Sequence, residues 1–331
     1  MKVSVIIKAL NEERNIVRAI ESALAAVAVV GSGEVILADS MSTDRTVDLA
    51  SAYPVRIVQL ANPNDRCCGV GAEIGYRIAS GDYLYILDAD MELDGDFLKA
   101  AILALDFDPT LGGVGGLVEE MNIQNAEFRG RAAQASPHMR IGEVDRLNMG
   151  GLYRKSAIDK LGYLTNRNLH AFEEFELAVR LRADGYHLIR LDMPAVRHYG
   201  HTDDSFLLLG KRWRSKYAWG IGELVRESIG KKYLSRVLFE VKLYRQAALV
   251  LGWWCVLVVL SFMVLMGDMN WAAPIFILLV PIVAMSLKRR SVSDGVYVVA
   301  FLCVFTAGLI AGAFSGRKGS PCGDLNVKVM K

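Results

Sequence analysis

Tyr83-Leu84-Tyr85-Ile86-Leu87-Asp88-Ala89-Asp90-Met91-Glu92 is the stretch on which the reading of this chain turns. An apolar run leads straight into three carboxylates on alternate positions. The first half has the pattern of a strand buried on both faces, as in a parallel sheet. In extended chain, residues two apart face the same way, so Asp88, Asp90 and Glu92 are expected to converge on one point. Like charges repel at that spacing, and a hard divalent cation bound by oxygen ligands is the usual reason to tolerate it. A solvated acidic turn after a buried strand is the competing reading.

Upstream of that stretch, β-branched runs alternate with helical periodicity. Val3 to Ile7 reads as a strand, Glu12 to Ala28 as a helix, Glu34 to Ala38 as a strand and Thr43 to Ala52 as a helix. Val55 to Leu60 and Gly71 to Ala79 continue the alternation. It predicts an α/β fold, with a mostly parallel sheet covered by helices on both faces. Ligands in such folds bind beyond the carboxyl ends of the strands, which gives weight to Asn11, Asp39 and the Asp88 run. Downstream, after the Gly-rich stretch Leu111 to Leu117, the alternation breaks down, and the polar stretch Glu119 to Asn148 is the expected acceptor side. A helix over Phe172 to Asp184 and a strand pair at His187 to Leu191 and Ala195 to Tyr199 follow.

Composition divides the chain. Charges are spread through the sequence as far as Arg245, beyond which apolar runs dominate. Ala247 to Met266, Trp271 to Leu287 and Gly295 to Ser315 carry no charge, and each is close to the length of about 20 residues that crosses hydrocarbon. The expected layout is a catalytic domain over 1–204, interfacial helices over 205–246, about three transmembrane helices over 247–315 and a tail over 316–331. Lys231, Lys232, Arg236, Lys242 and Arg245 precede the first run, and Lys288, Arg289 and Arg290 follow the second. By the positive-inside rule the first domain is cytoplasmic, and the protein is a multi-pass component of the inner or plasma membrane. Arg317, Lys318, Lys328 and Lys331 argue against a third crossing, which would place them outside.

A formal net charge of +2 gives no basis for nucleic-acid binding, which needs a concentrated basic surface. The cysteines, Cys67, Cys68, Cys255, Cys303 and Cys322, lack zinc-site or disulfide spacing and fit a reducing compartment. Val3 to Ile7 lacks signal-peptide features, in keeping with a cytoplasmic first domain. Lys211, Arg212, Trp213, Arg214, Lys216, Tyr217 and Trp219 suit a lipid headgroup layer, so membrane lipids are an expected partner.

Taken in order, Ser4 to Ile7 with Asn11-Glu12-Glu13, Ala38-Asp39-Ser40 through Thr46, Gly69 through Gly75, Ser80-Gly81-Asp82 and the Asp88-Ala89-Asp90 run resemble the family 2 glycosyltransferases, which have the GT-A fold. The resemblance covers about the first 200 residues. It implies a UDP- or GDP-sugar donor, with Mn2+ or Mg2+ as cofactor. By it Asp39 accepts a hydrogen bond from the base, Asp88 and Asp90 hold ribose and metal, and Ala9, Asn11, Glu13, Gly69 and Ala89 complete the nucleotide-sugar set. Glu92 matches a metal ligand of the family's polyprenyl-phosphate branch, and His198 matches a metal-binding histidine of some relatives. Arg66, beside the Gly69 loop, has the chemistry to pair with a diphosphate.

Ala171-Phe172-Glu173-Glu174-Phe175-Glu176 resembles the family's acidic segment, which implies that Glu174 or Glu173 is the general base. Neighbours on a helix point about 100° apart, so one of the two is expected at the reacting hydroxyl. Glu176 and Arg180 read as a surface pair. Departures from the family pattern are Lys8-Ala9-Leu10, where a proline and an aromatic are common, and Leu209 before Arg212-Trp213, where processive synthases have glutamine. The latter points to a non-processive enzyme. Gly150 to Lys155 resembles the acceptor-side segment. Asp39 and Asp44 also read as helix caps. Three functions stay open: transfer to a hydroxyl of a lipid-linked or other glycan acceptor, transfer to a polyprenyl phosphate, and a non-catalytic nucleotide-sugar-binding component.

Overall fold

The computed structural model describes residues 2–122, 139–148, 150–200 and 204–331. The chain divides into two units, one formed by residues 1–202 with 316–331 and the other by residues 203–315.

In the first unit the elements run β1 (Val3–Ala9), α1 (Ile16–Val30), β2 (Gly33–Asp39), α2 (Thr46–Ser51), β3 (Arg56–Leu60), α3 (Cys68–Ile78), β4 (Tyr83–Asp88), β5 (Met91–Leu93), α4 (Gly95–Phe107) and β6 (Leu111–Glu120). Then come β7 (Gly142–Glu143), β8 (Gly151–Arg154), α5 (Lys155–Leu161), α6 (Glu173–Ala183), β9 (His187–His198) and, after the second unit, β10 (Val327–Val329). The sheet order is β10-β3-β2-β1-β4-β8-β6-β9-β5, with β7 on β9. Strands β1 to β4 pair in parallel, as the alternation predicts. One core lies between the sheet and α1 and α4, and the other between the sheet and α3, α5 and α6. Gly75 brings α3 close to β1: a Cβ there would lie 2.3 Å from the Ile6 side chain.

Two expectations are corrected, and one stretch that the sequence leaves unassigned finds its place. The Gly-rich stretch from Leu111 is a strand, β6, that runs on to Glu120. Its glycines leave room for larger neighbours, and a Cβ on Gly113 would meet the Tyr153 ring at 2.8 Å. A strand whose bulk comes from its neighbours shows no side-chain periodicity. The strand pair around residue 193 is one strand, β9, whose pairing with β6 shifts register near Pro194, where a missing N–H removes a ladder bond.

The tail is the second correction. Residues 316–331 are part of the first unit: β10 pairs antiparallel with β3, Ala61 N donates to Asn326 O at 2.9 Å, and Lys331 Nζ donates to Tyr53 O at 2.7 Å. Arg167 donates to Asp324 O at 2.7 Å, and Asn168 Oδ1 accepts from Lys318 N at 2.7 Å. An exposed edge strand is a liability that needs cover, and the tail provides it for β3.

The second unit consists of α7 (Ser205–Arg214), a 3-10 turn (Tyr217–Trp219), α8 (Gly220–Ser228), α9 (Leu234–Glu240), α10 (Lys242–Met266), α11 (Ala272–Arg289) and α12 (Val292–Ala313). The last three are long and apolar enough to cross a membrane.

Candidate active site

Parallel pairing brings the carboxyl ends of β1, β2 and β4 to one rim, with Ala9 opposite Asp39 and Lys8 opposite Asp88. Asp39 is fully buried. Its Oδ2 accepts from Ser42 N at 3.0 Å and from Gln59 Nε2 at 2.8 Å, while its buried Oδ1 has no partner. An unsatisfied buried carboxylate oxygen costs free energy that an incoming N–H donor recovers. A nucleobase imide supplies such a donor.

Asn11 and Glu13 join the two loops above this rim. Asn11, at φ 57°, donates its backbone N–H to Ser42 Oγ at 2.8 Å, and its Oδ1 accepts from Thr43 N at 2.8 Å. Glu13 N donates to Asp44 Oδ2 at 3.0 Å, and Asp44 Oδ1 also accepts from Thr46 N at 3.0 Å. Arg66 reaches the same loop, donating to Met41 O at 3.0 Å with its buried Nε unpartnered. Gly69 is required by packing: a Cβ there would lie 1.9 Å from Asn166 O. Ala9 and Ala89 are buried, and Ala89 N donates to Lys8 O at 3.1 Å.

Residues Ala89 and Asp90 form a turn between β4 and β5, so the three carboxylates do not continue one extended strand. Each faces its own cation. Asp88 Oδ1 is 2.9 Å from Lys8 Nζ, Asp90 Oδ2 is 3.3 Å from His198 Nε2, and Glu92 lies 3.2 Å from Arg18 and 3.4 Å from Arg197. Glu92 is thus turned away to two arginines and does not stand with the other two. Among the described residues no three His, Cys, Asp or Glu side chains form a ready-made metal set. Of the expected acceptor side over Glu119 to Asn148, residues 123–138 lie outside the described residues.

The donor chemistry still fits a divalent cation at Asp90 and His198. His198 Nδ1 is 2.6 Å from Glu120 Oε2, which fixes the ring so that Nε2 faces Asp90, the outer-shell arrangement that orients histidine ligands. Burial lowers the His198 proton affinity, but the hydrogen bonds to Asp90 and Glu120 outweigh it and raise the pKa to about 9. Nearby, burial pushes the Glu12 carboxyl up to about 7 against its bond from Asn15, with Asp90 and Asp88 adding repulsion. Negative charge is concentrated where a cation would relieve it. Mg2+-type sites characteristically use one or two carboxylates completed by substrate phosphates and water, so a closed protein cage is not needed.

Across the rim, α6 begins after Phe172, which adopts the left-handed conformation at φ 67°. Both acids of its first turn reach Lys8, with Glu173 Oε1 at 3.3 Å and Glu174 Oε1 at 3.6 Å. The lysine cation draws both flexible side chains from the helix start. Glu174 is buried and its Oε2 has no partner. Burial holds its carboxyl above the ordinary range, Lys8 opposes the shift, and Asp88 and Glu173 reinforce it. Lys8 therefore links the Asp88 side of the site to the α6 side, a role the sequence does not announce.

Glu176 is not on the surface. It is fully buried, accepts from Arg180 Nε at 2.8 Å and from Tyr163 OH at 2.8 Å, and Arg180 also donates to Tyr163 O and Leu164 O. Glu176→Ala removes a fully buried carboxylate that pairs with Arg180, for a loss of about 3–5 kcal/mol read as a lower midpoint in denaturant.

Residues 83–288 match the model for glycosyl transferase family group 2, and residues 4–161 match that for glycosyl transferase family 2. No curated protein matches the chain. Among solved structures, a mannosyltransferase of Pyrobaculum calidifontis, in complex with GDP-Man and Mn2+, is 17% identical with a TM-score of 0.65, over 94% of this chain and 87% of that one. TarS 1-349 of S. aureus with UDP-GlcNAc is 15% identical with a TM-score of 0.52, over 94% of this chain and 91% of that one. At such identities the likeness shows a shared fold, and the family match stands independently of it. The chain belongs to the family 2 group of glycosyltransferases and is a glycosyltransferase of GT-A fold followed by apolar helices.

Proposed function

We propose that the protein is a membrane-anchored, non-processive, inverting transferase that moves a sugar from a UDP- or GDP-sugar to a hydroxyl of a lipid-linked glycan, with its catalytic domain in the cytoplasm. The reading is supported most by Glu174: a buried carboxylate with a free oxygen and raised proton affinity, held beside Lys8 and Asp88 at the strand rim. A hydroxyl is a poor nucleophile at neutral pH, and a carboxylate in this state is suited to take its proton as it attacks. A phosphate acceptor is already an anion and needs no such base. That distinction favours the hydroxyl over a polyprenyl phosphate.

Asp39 binds the base through Oδ1, and the loops tied by Asn11 and Glu13 form its wall. Asp90 and His198, with Asp88, would hold the divalent cation. Bound there, Mn2+ or Mg2+ would supply charge neutralisation for the leaving nucleoside diphosphate. Lys8 holds Asp88, Glu173 and Glu174 in fixed relation, so donor and acceptor sides stay in register. Activity should require added Mn2+ or Mg2+ and be lost with EDTA.

Two outcomes test the arrangement. Glu120→Ala frees the His198 ring and is expected to weaken Mn2+ about 10-fold to 100-fold, measured as the metal concentration that restores half activity. In the second, kcat/KM is followed against pH. The base works ionised, so activity rises with pH through the raised Glu174 pKa, above the ordinary glutamate value of about 4.3. Lys8, Asp88, Glu173, Tyr85, Tyr153 and Arg190 are the charged and titratable groups that act on that carboxylate. Lys8→Met removes its main stabilising cation and should move the acid limb to higher pH. An unmoved limb would assign it to another group.

A further inference from the structure

We infer that α12 does not cross the membrane: it lies in the near leaflet beneath α7 and α8, and the chain crosses only twice, through α10 and α11. The inference rests on the membrane anchoring proposed above and concerns which surface meets the lipid.

Parity supplies the first argument. Residues 316–331 belong to the same unit as residues 1–202, with β10 paired in the sheet against β3. Tail and catalytic domain are therefore in one compartment. An even number of crossings must separate them, whereas the helices able to cross number three.

Packing inside the second unit shows which helix stays. Asp204, Lys211, Arg212, Arg214, Lys216, Glu223, Arg226 and Glu227 lie in or beside α7, the 3-10 turn and α8. That charge density bars the segment from hydrocarbon, and α7 and α8 are each too short to span it. Helix α12 runs alongside them in the same direction. The Tyr297 and Phe206 rings pack edge to face at 5.6 Å between centroids, and a Cβ on Gly308 would lie 2.1 Å from Ala218 O. A Cβ on Gly312 would lie 2.0 Å from Trp219 O, and Arg226 donates to Ser315 O at 2.6 Å. Residues 297 to 312 cover about 22 Å of helix axis at about 1.5 Å per residue. Over that length α12 keeps one side against a charged segment that cannot enter hydrocarbon, although its other side packs along α11.

Its composition fits a position just below the headgroups. Gly295 to Ser315 carry no charge, so lipid meets its outer side, while the charged α7 and α8 cover the other. The basic residues then fall on one side. Lys242 and Arg245 start α10, Lys288 to Arg290 end α11, and Arg317, Lys318, Lys328 and Lys331 stand in the tail, whereas Gly267 to Asn270 has neither lysine nor arginine. The tail charges that contradict a three-span layout agree with this one.

Sealed vesicles and a membrane-impermeant maleimide test the inference. In a background with Cys67, Cys68, Cys255 and Cys303 replaced by alanine, three reporters are compared: native Cys322, Lys99→Cys on the catalytic surface, and Met269→Cys between α10 and α11. Cys322 is expected to label from the same side as Lys99→Cys, and Met269→Cys from the opposite side. Labelling of Cys322 from the side of Met269→Cys means α12 crosses, and labelling of all three from one side means that nothing crosses; either overturns the inference. Release of the chain by a carbonate wash would instead show that the anchoring itself is wrong. Protease protection of a C-terminal tag on the native-cysteine chain gives the same answer should the cysteine-depleted background fail to fold.

Discussion

Glu174→Gln is expected to lower kcat about 100-fold to 10,000-fold while leaving the KM for the donor near that of the parent enzyme. The substitution keeps shape and hydrogen-bonding capacity but removes the ability to accept a proton. Lys8 loses one anionic neighbour and keeps Asp88 and Glu173, so the donor side of the rim stays in place. Steady-state kinetics with saturating acceptor separate the two quantities. Retained kcat would favour a phosphate acceptor, for which no base is needed. Glu173→Gln serves as the comparison: Glu173 lies 3.3 Å from the same lysine, and a larger loss there than at Glu174 would move the base to the neighbouring residue.

Asp90→Ala should abolish turnover, with a loss of about 4 kcal/mol in transition-state stabilisation, or about 1,000-fold. His198, which now faces the Asp90 carboxylate at 3.3 Å, keeps Glu120 as its partner, so the β9 end should hold its place. The loss is therefore expected in metal-dependent activity rather than in folding. A thermal melt alongside the assay distinguishes the two. Activity near that of the parent enzyme would remove Asp90 from the cation site.

The strand-helix alternation and the Asp88 run were legible because each depends on local pattern: buried strands read as apolar runs, and rim residues as the polar ones just after them. What lay beyond local pattern was not. Asp88, Asp90 and Glu92 look like one set at a spacing of two, yet the turn at Ala89 and Asp90 sends them to Lys8, His198 and the pair Arg18 and Arg197. Lys8 reads as a strand residue at the rim, and its role comes from α6, which lies 165 residues away in sequence. Glu176 and Arg180 have the spacing of an exposed pair, and burial by the Tyr163 segment decides otherwise. Glu120 carries no local signal, because only the pairing of β6 with β9 brings it to His198. The tail reads as an appendage, since a strand of three residues has too few positions to show a period.

Release of nucleotide from a panel of UDP- and GDP-sugars, with Mn2+ and with or without membrane lipid extract as acceptor source, tests the central claim most directly. The account predicts that at least one donor yields UDP or GDP, that release increases with acceptor, and that both EDTA and Asp90→Ala remove it. Release that persists at parent level in the Asp90→Ala enzyme, or no release from any donor by protein that is folded and membrane-bound, would contradict it.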